Sequence, residues 1–185
     1  MEYKNGKKEG TNRFFYEDGS KEQITVFRNN KKDSIWITWY NDGKQKAQEI
    51  FKNGKKDGTW KYWYPNGNLQ NEGIFENDVQ NGTLSEYFSN GKLSSAGAFC
   101  SGKKCGAWKE YYETGNPKLE SEYKDSVMYL MNVWNEKGIQ SVKNGNGTFA
   151  VSWANGFIRA KGDYANGLPN GKWQFFNKDG YSRIL

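Results

Sequence analysis

An aromatic residue recurs at Tyr3, Phe27, Phe51, Phe75, Phe99 and Tyr123, each 24 residues after the one before. Anchors in such strict register mark a repeat protein, in which each unit must stack on its neighbours to bury its apolar side. After an anchor comes a turn such as Lys52-Asn53-Gly54-Lys55-Lys56-Asp57-Gly58, then an alternating run such as Trp60-Lys61-Tyr62-Trp63-Tyr64. A second turn, Pro65-Asn66-Gly67, and a return run to Phe75 complete the unit. Alternation bounded by Asn-Gly is a hairpin signal, so each unit reads as two strands and two turns. The predicted fold is all-β: one elongated antiparallel meander of about seven hairpins, forming a single domain over 1–185. The units lie near 3–26, 27–50, 51–74, 75–98, 99–122, a degenerate 123–163, and 164–185.

Composition agrees. Hydrophobic residues make up 35% of the chain and aromatics 17%, so nearly half of the apolar content is rings, a bias that suits pleated sheets. The 22 glycines, against 3 prolines, are regularly spaced beside Asn and Asp, which is turn chemistry and not that of a flexible linker. No run approaches the roughly 18 apolar residues of a membrane-spanning helix. Met1-Glu2-Tyr3-Lys4 begins a repeat directly, without an apolar signal core, and the chain as it stands is expected to be soluble.

The register breaks once. From Tyr123 to the next clear anchor, Tyr164, is 41 residues, seven short of two units, and the apolar run Val127-Met128-Tyr129-Leu130-Met131 sits where the loss occurs. That stretch is read as a buried, shortened strand in preference to a binding insert. The pattern returns with Gly147, Phe149, Trp153 and Gly156, then with Gly171, Trp173, Phe176 and Gly180.

Units such as Asn53-Gly54-Lys55-Lys56-Asp57-Gly58-Thr59-Trp60-Lys61-Tyr62-Trp63-Tyr64, and Gly106-Ala107-Trp108-Lys109-Glu110-Tyr111-Tyr112, resemble the bacterial variant of the MORN repeat. The resemblance covers nearly the whole chain. It departs at Asn12 and Leu84, where other copies place Trp, and at Ser34, where they place Gly. It implies hairpins lined up into a twisted sheet. Bacterial proteins of this variant are commonly described as antitoxins, and eukaryotic relatives as dimerisation, scaffolding or lipid-binding modules. The expected function is therefore a non-catalytic protein-binding repeat module, in its narrower form an antitoxin or immunity-like protein. The alternative is an envelope or surface scaffold that self-associates or touches anionic membrane. Fold analogy fixes architecture better than function.

Strand alternation sorts the candidate contacts. Two and six residues after each repeat glycine stand Trp36 and Tyr40, Trp60 and Tyr64, Leu84 and Phe88, Trp108 and Tyr112, and Phe149 and Trp153. These are read as sharing one packed face. Five residues after it, on the opposite face, stand Phe15, Trp39, Trp63, Tyr87, Tyr111 and Phe176. If exposed, that stripe is a ladder of the residue types enriched at interface hot spots; otherwise the rings cover their own sheet or lie under lysine stems.

The turns between hairpins place Lys7, Lys8, Lys31, Lys32, Lys55, Lys56, Lys103 and Lys104 along one edge, where part of the net charge of +6 gathers. Such an edge attracts an acidic protein or an anionic membrane, or simply guards against aggregation. Nucleic acid is disfavoured because Glu9, Asp33 and Asp57 dilute the charge. The expected partner is a protein, with a homodimer and anionic membrane as alternatives. Lys4 and Glu9, Arg28 and Asp33, and Lys52 and Asp57 are read as facing each other across their turns. In the fifth unit those two positions are Cys100 and Cys105, which places a disulfide within reach. A disulfide favours an extracytoplasmic location; two thiols favour the cytoplasm. Two cysteines and no histidine supply too few ligands for a metal, and no cofactor is expected. Without histidine the commonest general base is missing, and no catalytic residue is assigned.

Overall fold

The computed structural model describes residues 2–183, which form strands and turns; among the described residues there is no helix. The chain divides into two compact units, Met1–Lys104 and Cys105–Leu185.

In the first unit the strands Glu2–Lys4, Lys7–Phe15, Lys21–Arg28, Lys31–Trp39, Gln45–Lys52, Lys55–Lys56 with Gly58–Trp63, Leu69–Glu76, Val79–Tyr87 and Leu93–Cys100 follow one another. Each pairs antiparallel with the next. Two turn types alternate, each written in the local sequence. At Asn5-Gly6, Asn29-Asn30, Asn53-Gly54 and Asn77-Asp78 both residues have positive φ, the two-residue hairpin turn that suits strand twist. The second type closes with Tyr16, Tyr40, Tyr64 and Phe88 donating N–H to the carbonyls of Ser20, Lys44, Asn68 and Lys92, all at 2.8 Å. Inside it Asp18, Asp42, Asn66 and Asn90 accept the N–H of the residue two ahead, the Asx-turn bond that makes these side chains turn formers.

Each two-residue turn is also stitched to the preceding unit. Asn30, Gly54, Asp78 and Gly102 donate N–H to the carbonyls of Lys8, Lys32, Lys56 and Gln80 at 2.7–3.0 Å, again at the repeat spacing. Across the strands, Trp36 packs on Phe51 with ring centroids 5.6 Å apart and Trp60 on Phe75 at 5.7 Å. The anchors and the tryptophans thus share a face, and cross-strand ring pairs supply its cohesion. With nothing layered over it, the sheet buries few side chains completely; Phe51 and Leu84 are among them. So are Asn12 and Thr25, register partners on the same face, with Asn12 Oδ1 and Thr25 Oγ1 lacking hydrogen-bond partners.

The repeat-glycine position, three residues after Lys7, Lys31, Lys55 and Val79, has positive φ at Gly10, Gly58 and Gly82, and also at Ser34, with φ 62°. An L-residue pays about 1–2 kcal/mol there. Glycine's greater freedom in the unfolded chain returns roughly 0.4–1 kcal/mol of that. Ser34 is exposed and its backbone N–H bond to Asp33 survives substitution. Ser34→Gly is therefore expected to stabilise the protein by up to about 1.6 kcal/mol in urea unfolding; a lower midpoint would refute the strain.

The strand Lys103–Tyr111 enters the second unit at Cys105, and the same pattern follows there through Pro117–Lys124, Val127–Trp134, Gln140–Lys143, Asn146–Ser152, Ile158–Ala165, Leu168–Phe176 and Ser182–Arg183. The expectation of a shortened strand at 127–134 is corrected. That strand has eight residues; the loss falls mainly on Gln140–Lys143, four residues long where Leu69–Glu76 has eight. The cause is an early two-residue turn at Asn144-Gly145, both with positive φ. Around the short strand lies the core: Leu130, Val133 and Val142 are buried, with Leu119, Phe149 and Tyr164 packed against them. Three backbone bonds draw the surrounding turns together, Gly145 to Met131 (2.7 Å), Gly167 to Gly145 (2.9 Å) and Leu130 to Gly167 (2.8 Å).

Candidate functional site

The ring stripe stands at the ends of the forward strands. Phe15 is 55% exposed, and Trp39, Trp63 and Tyr87 are half-buried in the first unit, as are Tyr111 and Phe176 in the second. Trp39 lies beside a half-buried aliphatic group in which Ile24 opposes Ile37 and Ile35 opposes Ile50. Lysine covers some of the rings: Lys21 Nζ lies 6.0 Å from the Trp39 ring centroid and Lys161 Nζ 5.9 Å from that of Phe176. The stripe is thus neither buried nor bare.

Its backbone is braced in a way that spacing alone does not reveal. The residues six after the repeat glycine do not simply line the packed face. Tyr16, Tyr40 and Tyr64 donate their hydroxyls to the carbonyls of Trp39, Trp63 and Tyr87, at 2.7, 2.7 and 2.9 Å. In the second unit Tyr112 reaches Trp134 O at 2.8 Å and Trp153 Nε1 reaches Phe176 O at 3.3 Å. Each brace holds a ring-bearing residue from the neighbouring hairpin, so Trp39, Trp63, Tyr87 and Phe176 of the stripe sit on preorganised backbone.

The lysine edge separates into two rows. Lys8, Lys32 and Lys56 fold over the packed face, with Nζ 5.4 Å from the Phe27 centroid, 3.0 Å from Trp36 and 5.4 Å from Phe75. Lys7, Lys31, Lys55 and Lys103 are exposed, and Lys104 is half-buried. Adjacent residues on a strand point to opposite faces, which accounts for the division. The expected opposed charge pairs are also corrected. A two-residue turn pairs residues three apart, so Lys4 opposes Lys7, Arg28 opposes Lys31 and Lys52 opposes Lys55. Arg28 and Asp33 still meet diagonally, Nε to carboxylate at 3.1 Å. Cys100 and Cys105 are disulfide-bonded.

One ionic cluster lies on the packed face. Glu49, opposite Trp36, accepts from Lys56 Nζ at 2.6 Å and from the Tyr62 hydroxyl. Burial works against the Lys56 ammonium, yet the Glu49 carboxylate outweighs it and holds Lys56 above its ordinary value. Burial, then Glu49, raises Tyr62. Burial, reinforced by the charge of Lys56 and opposed by Glu49, lowers Lys32. The carboxylate is thereby paired in place by an ammonium and a hydroxyl, which makes this cluster a fastening of the ring face. In the second unit a cavity of about 470 Å³ opens beside the core, lined by Leu119, Val133, Trp134, Phe149 and Val151 with Lys118 and Glu110 among its polar residues.

A meander of stitched hairpins with surface rings defines a β-hairpin repeat module, a class that commonly binds or scaffolds. Three of its repeats are MORN repeat variants: the family model of that description matches residues 8–29, 56–77 and 104–125. Successive matches begin 48 residues apart, two units, and the copies between them carry the departures Ser34 and Leu84. No curated protein matches the chain.

Proposed function

We propose that the chain is a protein-binding module whose partner docks on the stripe of Trp39, Trp63 and Tyr87. The observation that supports this most directly is the brace: three partly exposed rings at unit spacing, each with its carbonyl held by a tyrosine hydroxyl of the adjacent hairpin. Rings on fixed backbone lose little entropy when a partner covers them, which is what binding energy at a hot spot requires. The flanking isoleucines extend the apolar patch. The antitoxin or immunity-like role is the narrower form of this proposal, with a toxin as the partner, and rests on the family resemblance alone. The disulfide supports an extracytoplasmic location.

The test is affinity capture from the source cells with the wild type beside the Trp39→Ala, Trp63→Ala, Tyr87→Ala variant, both checked by circular dichroism. Since truncating one hot-spot ring costs about 2 kcal/mol or more, the triple change is expected to weaken a stoichiometric protein partner by at least about a hundredfold. Capture that survives the change rules the stripe out.

A further inference from the structure

We propose that the first three two-residue turns form a binding strip for an acidic polysaccharide. The strip consists of three cation pairs, Lys4 with Lys7, Arg28 with Lys31 and Lys52 with Lys55, each pair directly opposed in the strand register. Residues so opposed have Cβ atoms about 4.5–5.5 Å apart, and like charges in that relation destabilise the hairpin. A sheet selected for folding alone has no use for the same unfavourable pairing in three consecutive turns. A bound anion turns it into a clamp.

The neighbouring acids offset the strip only in part: Asp33 pairs with Arg28 at 3.1 Å, and the five lysines have no ion pair of this kind among the described residues. Glu9 is half-buried and accepts the Asn29 N–H at 2.9 Å. Asp33 is half-buried against Arg28, and Asp57 is half-buried in the strand break. Lys4, Lys7, Arg28, Lys31, Lys52 and Lys55 are all exposed. Glu2 lies at the outer end, and the fourth turn, where Glu76 opposes Val79, closes the strip. The turns adjoin: the Gly54 N–H bonds to Lys32 O at 2.7 Å, and a Cβ on Gly54 would sit 3.6 Å from that of Lys31. Between the first two turns a concavity of about 250 Å³ is lined by Lys4, Asn5, Lys7, Glu9 and Asn29.

The spacing selects the ligand. Successive turns are two strands apart, about 10 Å, close to one disaccharide of an extended polysaccharide bearing one carboxylate or sulfate in each. The exposed turn residues Asn5, Asn29 and Asn53 set an amide beside each cation pair, suited to sugar hydroxyls. A nucleic-acid strand carries a phosphate every ~3.4 Å of rise; of the rings beside the three turns only Tyr3 is exposed, Phe27 being half-buried and Phe51 buried, and the stripe of Trp39 and Trp63 stands eight residues further along the strands, roughly 25 Å away. The three turns hold no apolar side chain to enter a lipid surface.

Hyaluronate, with one carboxylate per disaccharide, is the probe, measured by biolayer interferometry on the full chain. Wild type is expected to bind it more tightly than poly-dT, polyglutamate or phosphatidylglycerol vesicles at equal anionic charge. Lys7→Gln, Lys31→Gln, Lys55→Gln is expected to lose at least tenfold in affinity with an unchanged or higher melting temperature, because it removes repulsion. The corresponding triple arginine variant should keep binding, and so should the variant lacking the rings of Trp39, Trp63 and Tyr87, which separates this strip from the protein-binding stripe. No binding to hyaluronate, equal binding by the glutamine variant, or tighter binding to any of the other three anions overturns the proposal.

Discussion

Leu130→Ala is expected to lower the unfolding free energy by about 3–4 kcal/mol, within the range for emptying a well-packed leucine site. Leu130 is 1% exposed and packs with Val133 and Val142 under Leu119, Phe149 and Tyr164. The cost depends on how far the surroundings can collapse into the space left behind. Here they are held: the Leu130 N–H is bonded to Gly167 O, and Gly167 in turn to Gly145 O. Ser121 is its register partner on the other side. Little collapse is available, so the cavity term should be close to full. Val127→Ala in the same strand, at a side chain 46% exposed, removes less apolar surface from cover and should cost under about 1 kcal/mol. Urea midpoints for the two variants check the contrast, and equal small losses would mean that no packed core surrounds the short strand.

Why Leu130 matters could not be read along the chain, although the hairpins around it could. A two-residue turn is chosen by the residues inside it, since Asn and Gly accept positive φ, and strand alternation is a property of neighbours. Turn positions, the all-β class and the packed face of Trp36 and Trp60 were therefore legible; that the phenylalanine anchors share that face emerges only from the strand pairing. Val142 was not, because a four-residue strand is too short to show a period, and a bulge at Met131 resets which residues of 127–134 face inward. The tyrosine braces were half-legible: their 24-residue recurrence is in the sequence, but a hydroxyl reaching the next hairpin's carbonyl is a tertiary contact. The division of each lysine pair between two faces follows from alternation alone, yet grouping them by turn hid it. Treating residues five apart as opposed was an error of turn geometry, since a two-residue turn opposes residues three apart and leaves Arg28 and Asp33 on a diagonal.

Gly147→Ala should be the most damaging of the single-methyl additions at the repeat glycine, with an expected loss of at least about 3 kcal/mol, and Gly171→Ala is its control. Both glycines hold the repeat-glycine position near the start of a forward strand, Asn146–Ser152 and Leu168–Phe176, with positive φ, 139° and 68°. An alanine at Gly171, in the left-handed well, pays about 1–2 kcal/mol for that backbone alone; at Gly147 the φ lies outside that well, and the backbone cost is at least as large. At Gly171 the added Cβ meets nothing within 4 Å, so the cost should stop there. At Gly147 it runs into the Ser141 carbonyl oxygen and comes within 3.0 Å of Val142 Cα and 3.2 Å of the Ser141 carbonyl carbon. These are backbone atoms, and no rotamer change moves them aside. Relief requires the strand Gln140–Lys143 to shift, and that strand carries Val142, which is fully buried in the core. Overpacking that forces backbone movement typically adds about 1–3 kcal/mol. The difference between the two variants, read from urea unfolding, should therefore be about 2 kcal/mol, with Gly147→Ala also losing amide-exchange protection at Val142. Equal losses would show that backbone conformation alone sets the cost, and that the short strand yields to its neighbour.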